Sequence, residues 1–96
     1  MRTFIVIDHR VADFDAWLEV YHEVRGWQHM RGVRFEQVLR DPQDGNRVIV
    51  THAFDTPDVA KAFADNEELK EAMGRAGVDP SSVKVEYFDE VEMEDV

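Results

Sequence analysis

"VRFEQVLRDPQDGNRVIVTHAF", residues 33–54, holds two β-prone runs around a cluster of turn formers. "VRFEQVLR" (33–40) and "RVIVTHAF" (47–54) are rich in Val, Ile, Phe and Thr, whose branched or aromatic side chains suit a pleated surface. Between them, "DPQDGN" (41–46) supplies a Pro, an Asp-Gly step and an Asn, all of which favour chain reversal. The stretch predicts a β-hairpin at the middle of the chain.

Working outward, each side of the hairpin reads as a helix followed by a strand at the far end. "VADFDAWLEVYHEVRGWQHMRG" (11–32) has helical spacing, with Phe14, Trp17, Leu18, Tyr21, Val24 and Gln28 on one stripe and Asp13 or Asp15 as cap. "TFIVIDH" (3–9) before it is a short apolar run without strict alternation, as expected of a central strand covered on both faces. Downstream, Thr56 caps a helix that starts at Pro57, where a missing N–H costs nothing. Phe63, Leu69 and Met73 fall on its buried side, and Asn66 is placed to split it so that "EELKEAM" (67–73) forms a second short helix. "SVKVEYFDEV" (82–91) alternates as a last strand, and "EMEDV" (92–96) reads as a frayed acidic tail.

The order β-α-β-β-α-β is that of the ferredoxin-like split βαβ, an α+β fold with a four-stranded antiparallel sheet in one domain, residues 1–96. The first and third strands are expected side by side at its centre, running parallel, with both helices on one face. Phe4 and Val6 alternate with Ile5 and Ile7, and Val48 and Val50 with Ile49, so both faces of the central strands carry apolar residues. Helices on one face leave the other in need of cover, and sheet-to-sheet packing in a homodimer is the expected solution.

Composition narrows the partners. Twenty-one acidic against 11 basic residues give a formal charge of −10, which disfavours nucleic acid and anionic membrane. The absence of cysteine removes disulfides, thiolate metal sites and thiol nucleophiles, and fits a cytoplasmic protein. The opening "MRTFIVIDHR" has too short an apolar run for a signal-peptide core or a membrane span. The five glycines form no Walker or Rossmann pattern, and Ser81-Ser82 lie in no nucleophile elbow.

Metal binding receives one test. His22-Glu23 with His29 has the look of a zinc-binding helix, but seven residues span roughly 10.5 Å at 1.5 Å per residue, too far for one ion. Asp65, Glu67, Glu68 and Glu71 read as the solvated side of the second helical region.

"HRVADFDAW" (9–17), "LRDPQDGNRVIVTHAFDTPDVAKAF" (39–63) and "ELKEAMGRAGV" (68–78) resemble the dimeric α/β-barrel superfamily, closest to small antibiotic biosynthesis monooxygenase-like members. The match in element order covers nearly the whole chain, and its motifs are turn, cap and core residues. The resemblance implies a homodimer and a small-molecule pocket between each sheet and its helices or loops. It also implies an activity among the cofactor-independent oxygenases, isomerases and cyclases, or none. Haem-degrading members carry an axial histidine on the second helix, whereas residues 57–76 contain no histidine.

His9 and His52, each near a strand end, are the candidate catalytic pair, since a neutral imidazole can move a proton during enolisation or ring closure. Rim residues bonding to loops are the competing reading. Arg34 and Arg47 are candidate anion holders for a carboxylate or enolate, against a role in surface ion pairs. Tyr87 is a candidate hydroxyl donor, one of Tyr87 and Phe88 being expected under the helices and the other at the dimer seam. Trp27 is expected to close over a partner or a pocket rim, provided that the helix survives Gly26. The function expected is a cofactor-independent oxygenase, isomerase or cyclase on a small aromatic or enolisable metabolite. The alternative is a non-catalytic, ligand-binding or structural homodimer.

Overall fold

The computed structural model describes residues 1–96 as β1 (Thr3–Arg10), α1 (Phe14–Met30), β2 (Phe35–Asp41), β3 (Asp44–Phe54), α2 (Pro57–Ala64), α3 (Glu67–Arg75), a 3-10 turn (Pro80–Ser82) and β4 (Lys84–Asp89). The hairpin forms where the turn residues place it, but more tightly than the sequence indicates. Only Pro42 and Gln43 separate the strands, and the register shifts at Arg40/Asp41. Gly45 follows the turn, where a Cβ would sit 2.5 Å from the Arg40 guanidinium.

The sheet order is β2-β3-β1-β4, with every neighbouring pair antiparallel. The expectation of parallel β1 and β3 is therefore corrected. α1 returns the chain so that β2 runs parallel to β1 two places away, and the hairpin inserts β3 between them in the opposite sense. Ile5 faces His52 in the ladder and His9 faces Val48. The two candidate histidines thus lie four ladder steps apart, about 13 Å along the strands.

Caps define the helices. The Asp13 side chain accepts from the Asp15 and Ala16 N–H groups, Thr56 from Val59, and Asn66 from Glu68, so Asn66 does start a separate helix. α1 runs through Gly26 to Met30, held on either side of the glycine by the buried Tyr21 and Gln28 and by Trp27 on Phe63.

The helices cover one sheet face. Ile5, Ile7, Val33, Phe54, Ala60, Phe63 and Leu69 form one buried cluster, and Val11, Trp17, Tyr21, Val48, Val50, Ala76 and Val78 form a second. Met73 and Val83 pack against both. The other face carries Phe4, Val6, Phe35, Leu39, Ile49 and Phe88, with Leu39 45% and Phe88 52% exposed. It is less uniformly apolar than the strand pattern implies, since Asp8, Arg47, Gln37, Lys84 and Glu86 share it.

β4 departs from expectation more plainly. Every one of its residues is exposed, and Tyr87, although in register with Ile5, is not packed under the helices. Tyr87 and Phe88 instead flank a shallow depression with Pro57 and Lys61.

Candidate functional site

The alternation that buries Ile5 and Ile7 also buries His9, and the alternation that buries Val48 and Val50 buries His52. Both histidines therefore face the helices, and α1 joins them. Trp17 and Tyr21, one turn apart, stack with ring centroids 5.1 Å apart. His9 lies 5.6 Å from Trp17 and His52 lies 6.3 Å from Tyr21, so an aromatic column spans the distance between the two imidazoles. They do not touch, yet they line one cavity of about 50 Å³ with Ile7, Gln28, Leu69 and Met73.

His52 is 2% exposed, and burial pushes its pKa down to about 4, although Glu36 pulls the other way. Burial also lowers the His9 pKa, against a 3.4 Å contact from Nδ1 to the Ile7 carbonyl. Both are neutral at pH 7.

Counting donors fixes the His52 tautomer. Tyr21 Oη lies 3.0 Å from Glu36 Oε1 and 3.2 Å from His52 Nε2. Glu36 is held as a carboxylate: burial alone would raise its pKa, but hydrogen bonds from His29, Arg25 and Tyr21 outweigh it. A carboxylate only accepts, so Tyr21 gives it its single proton and Tyr21 Oη must accept from His52 Nε2–H. Burial, with the bond to Glu36, raises the Tyr21 pKa and keeps that proton in place. His52 Nδ1 is then a bare lone pair, buried, with no protein partner. Gln28 Oε1, on the same cavity wall, is also buried without a partner.

The other end of the chain of bonds reaches solvent. Arg25 Nε donates to Glu36 Oε1 at 2.8 Å, and the exposed His29 pairs with Glu36 Oε2. His29 thus braces a carboxylate, while His22 points to solvent. No group of three or more His, Asp or Glu side chains is arranged to hold a metal ion.

The remaining sequence candidates do not converge on the cavity. Arg34 is exposed and pairs with Asp55 at 3.4 Å. Arg47 lies on the open sheet face, where two bonds to Asp8 and one to Asp41 hold it. Trp27 packs on Phe63 at 5.9 Å with Arg31 over its ring, and so closes over α2 instead of the cavity. Tyr87 stands on the exposed edge strand.

Tyr21, Gln28 and Glu36 were not marked as site residues by the sequence. For Gln28 a signal existed: an amide on an otherwise apolar stripe. Glu36 carried none, because its value depends on the cross-strand pairing Glu36↔His52.

Comparison with solved structures places this architecture. The chain aligns with a provisionally named antibiotic biosynthesis monooxygenase from Chloroflexus aurantiacus at 20% identity and TM-score 0.71, covering 99% of this chain and 98% of that one. The fold is that of antibiotic biosynthesis monooxygenase-like proteins. SnoaB, a cofactor-independent oxygenase from Streptomyces nogalater, aligns at 10% identity and TM-score 0.72 over 96% and 95% of the two chains. A dimeric ferredoxin-like protein of unknown function from Jannaschia sp. CCS1 aligns at 11% identity and TM-score 0.69 over 93% and 99%. No family model matches the sequence, and no curated protein does. No helix is long and apolar enough to cross a membrane.

Proposed function

We propose that this protein is a homodimeric, cofactor-independent enzyme of the oxygenase, isomerase or cyclase type that acts on a small aromatic or enolisable metabolite, with His52 as its base. The observation that carries the reading is the unpartnered Nδ1 of His52, buried on an apolar cavity wall and kept unprotonated by the Tyr21–Glu36 bonds.

In this reading Nδ1 takes a proton from an activated C–H or phenolic O–H. As it does so, Nε2–H passes to Tyr21 and Tyr21 passes its own proton to Glu36, so no imidazolium persists in the core. Arg25 and His29 hold Glu36 at the surface, where it gives that proton to water and takes one back at the end of the cycle. The substrate anion then isomerises, closes a ring, or gives an electron to molecular oxygen. In the last case recombination gives a peroxide anion that takes the proton back from His52 Nδ1 as a hydroperoxide, and its loss of water turns a CH₂ and O₂ into a C=O and H₂O. His9 and Gln28 orient the substrate from the same wall. The likeness to SnoaB supports the oxygenase branch at the level of fold.

The homodimer forms through the open sheet face, where Phe4, Val6, Phe35, Leu39, Ile49 and Phe88 supply the apolar area that a small domain needs. The test of activity is oxygen uptake, or loss of the substrate ultraviolet band under argon, with a panel of enolisable aromatic ketones. Turnover that falls at least about a hundredfold in His52→Gln supports the reading, in line with the share of a general base. Turnover that survives the substitution refutes it. The unpartnered Gln28 Oε1 and His52 Nδ1 equally suit one competing reading, a non-catalytic ligand-binding homodimer, which binding without turnover across the panel would support.

A further inference from the structure

The inner cavity, about 50 Å³, is far below the roughly 150 Å³ of an apolar cavity that takes up one benzene. A second pocket of about 290 Å³ adjoins it between α3, β1 and β4, lined by Ile7, Leu69, Met73, Val78, Val83 and Val85 among others. Ile7, Leu69 and Met73 line both, so they form the wall between them. Separately, one space has polar groups but no room, and the other has room but an apolar lining broken only by Lys70. Joined, they reach the size usual for small-ligand sites, from about 300 Å³ upward.

We infer that the two pockets are the inner and outer chambers of one binding site for a flat, apolar molecule carrying a hydroxyl or enol, and that Met73 is the partition that admits it. This rests on the reading of His52 as the residue such a hydroxyl meets. Of the three wall residues, only Met73 is suited to move. Ile7 is β-branched and locked in a central strand at 6% exposure, and Leu69 is buried in the core at 9%. Met73 is half-buried, unbranched and carries three rotatable bonds. It also packs against both hydrophobic clusters, so a change of rotamer exchanges one apolar contact for another.

The following residue supports the same device. Gly74 lies inside α3, where glycine costs about 0.5–1 kcal/mol relative to alanine. A Cβ there would meet nothing within 4 Å, so packing does not call for glycine. Its effect is to loosen the turn that carries Met73. Lys70, one turn before Gly74 and the only charged residue lining the outer chamber, marks the mouth and suits a ligand with an acidic substituent.

The probe is 1-naphthol, titrated into the full-length protein by NMR with the His52 ring and the Val85 methyls as reporters. In the native protein both reporters shift together. Met73→Ala removes the partition and tightens binding by about tenfold, whereas Met73→Phe closes it and weakens binding by about tenfold, each equivalent to about 1.4 kcal/mol. Naphthalene, which lacks the hydroxyl, binds more weakly and leaves the His52 tautomer signals unmoved. Gly74→Ala, which has room for its methyl, weakens binding without loss of stability and guards against a Met73→Ala variant that fails to fold. The inference is overturned if the probe shifts only Val85 in native and Met73→Ala protein, or if the Ala and Phe variants change affinity in the same direction. Absence of oxygen uptake would remove the oxygenase reading and leave this binding result standing.

Discussion

Protonation of His52 provides the most direct test of the site. Its ring is 2% exposed and its pKa is lowered from 6.5 to about 4, chiefly by burial. A base with a depressed folded-state pKa binds protons more readily in the unfolded chain. Its contribution to stability is therefore present above pH 6.5 and is lost as pH falls toward 4. At about 1.4 kcal/mol per unit, the full difference is about 3 kcal/mol, and about 2 kcal/mol of it is lost between pH 7 and pH 5. The groups around the ring, His9, His29, Tyr21 and Glu36, are the same in both proteins compared. Glu36 is held below the usual carboxylate range and the Tyr21 pKa is raised, so both keep their charge state; His9 shifts in the same direction as His52 and is common to both proteins compared. Urea unfolding at the two pH values, for native protein and His52→Gln, measures the difference. The native protein should lose about 2 kcal/mol more than the variant on acidification. Equal losses, or a His52 ring that titrates by NMR at or above 6.5, would refute the reasoning.

Tyr21→Phe removes the hydroxyl that accepts from Nε2, so ¹⁵N shifts of His52 should move from nearly pure Nε2–H toward a mixture with Nδ1–H; an unchanged tautomer would show that Tyr21 does not set it. Phe54, fully buried between the sheet and α2, should cost about 3–5 kcal/mol when cut to Ala in chemical denaturation. Asp13→Ala removes the cap of α1 and should cost about 1 kcal/mol by the same measurement. Light scattering should report a dimer at micromolar concentration, converted to monomer by Leu39→Lys with Phe88→Glu; a native monomer would end the dimer proposal.

Local signals carried most of the architecture. The turn cluster at 41–46, the Thr56–Pro57 start and the Asn66 break each work through one residue and its neighbours, and each is found where the sequence puts it. Strand alternation likewise sets His9 on the face opposite Asp8 and Arg10, because the period of a strand is two residues wherever it lies. The same local rules read Gly26 as a weak point. Packing of Trp27 and Gln28 against the rest of the molecule overrode it, and α1 continues to Met30.

What sequence alone determined about this protein is the list of elements, their order, and which residues of α1 and the central strands turn inward. The relative direction of β1 and β3 was decided only by tertiary structure, since both parallel and antiparallel neighbours satisfy the same apolar pattern. So was the site. His9 and His52 do not meet at adjoining strand ends; they face one cavity from positions four ladder steps apart, joined through Trp17 and Tyr21. Glu36 matters only because cross-strand register sets it opposite His52, and Tyr21 only because α1 lays its hydroxyl between them. A hydrogen bond is made across space by groups 15 and 31 residues apart in the chain, and no local pattern records that distance.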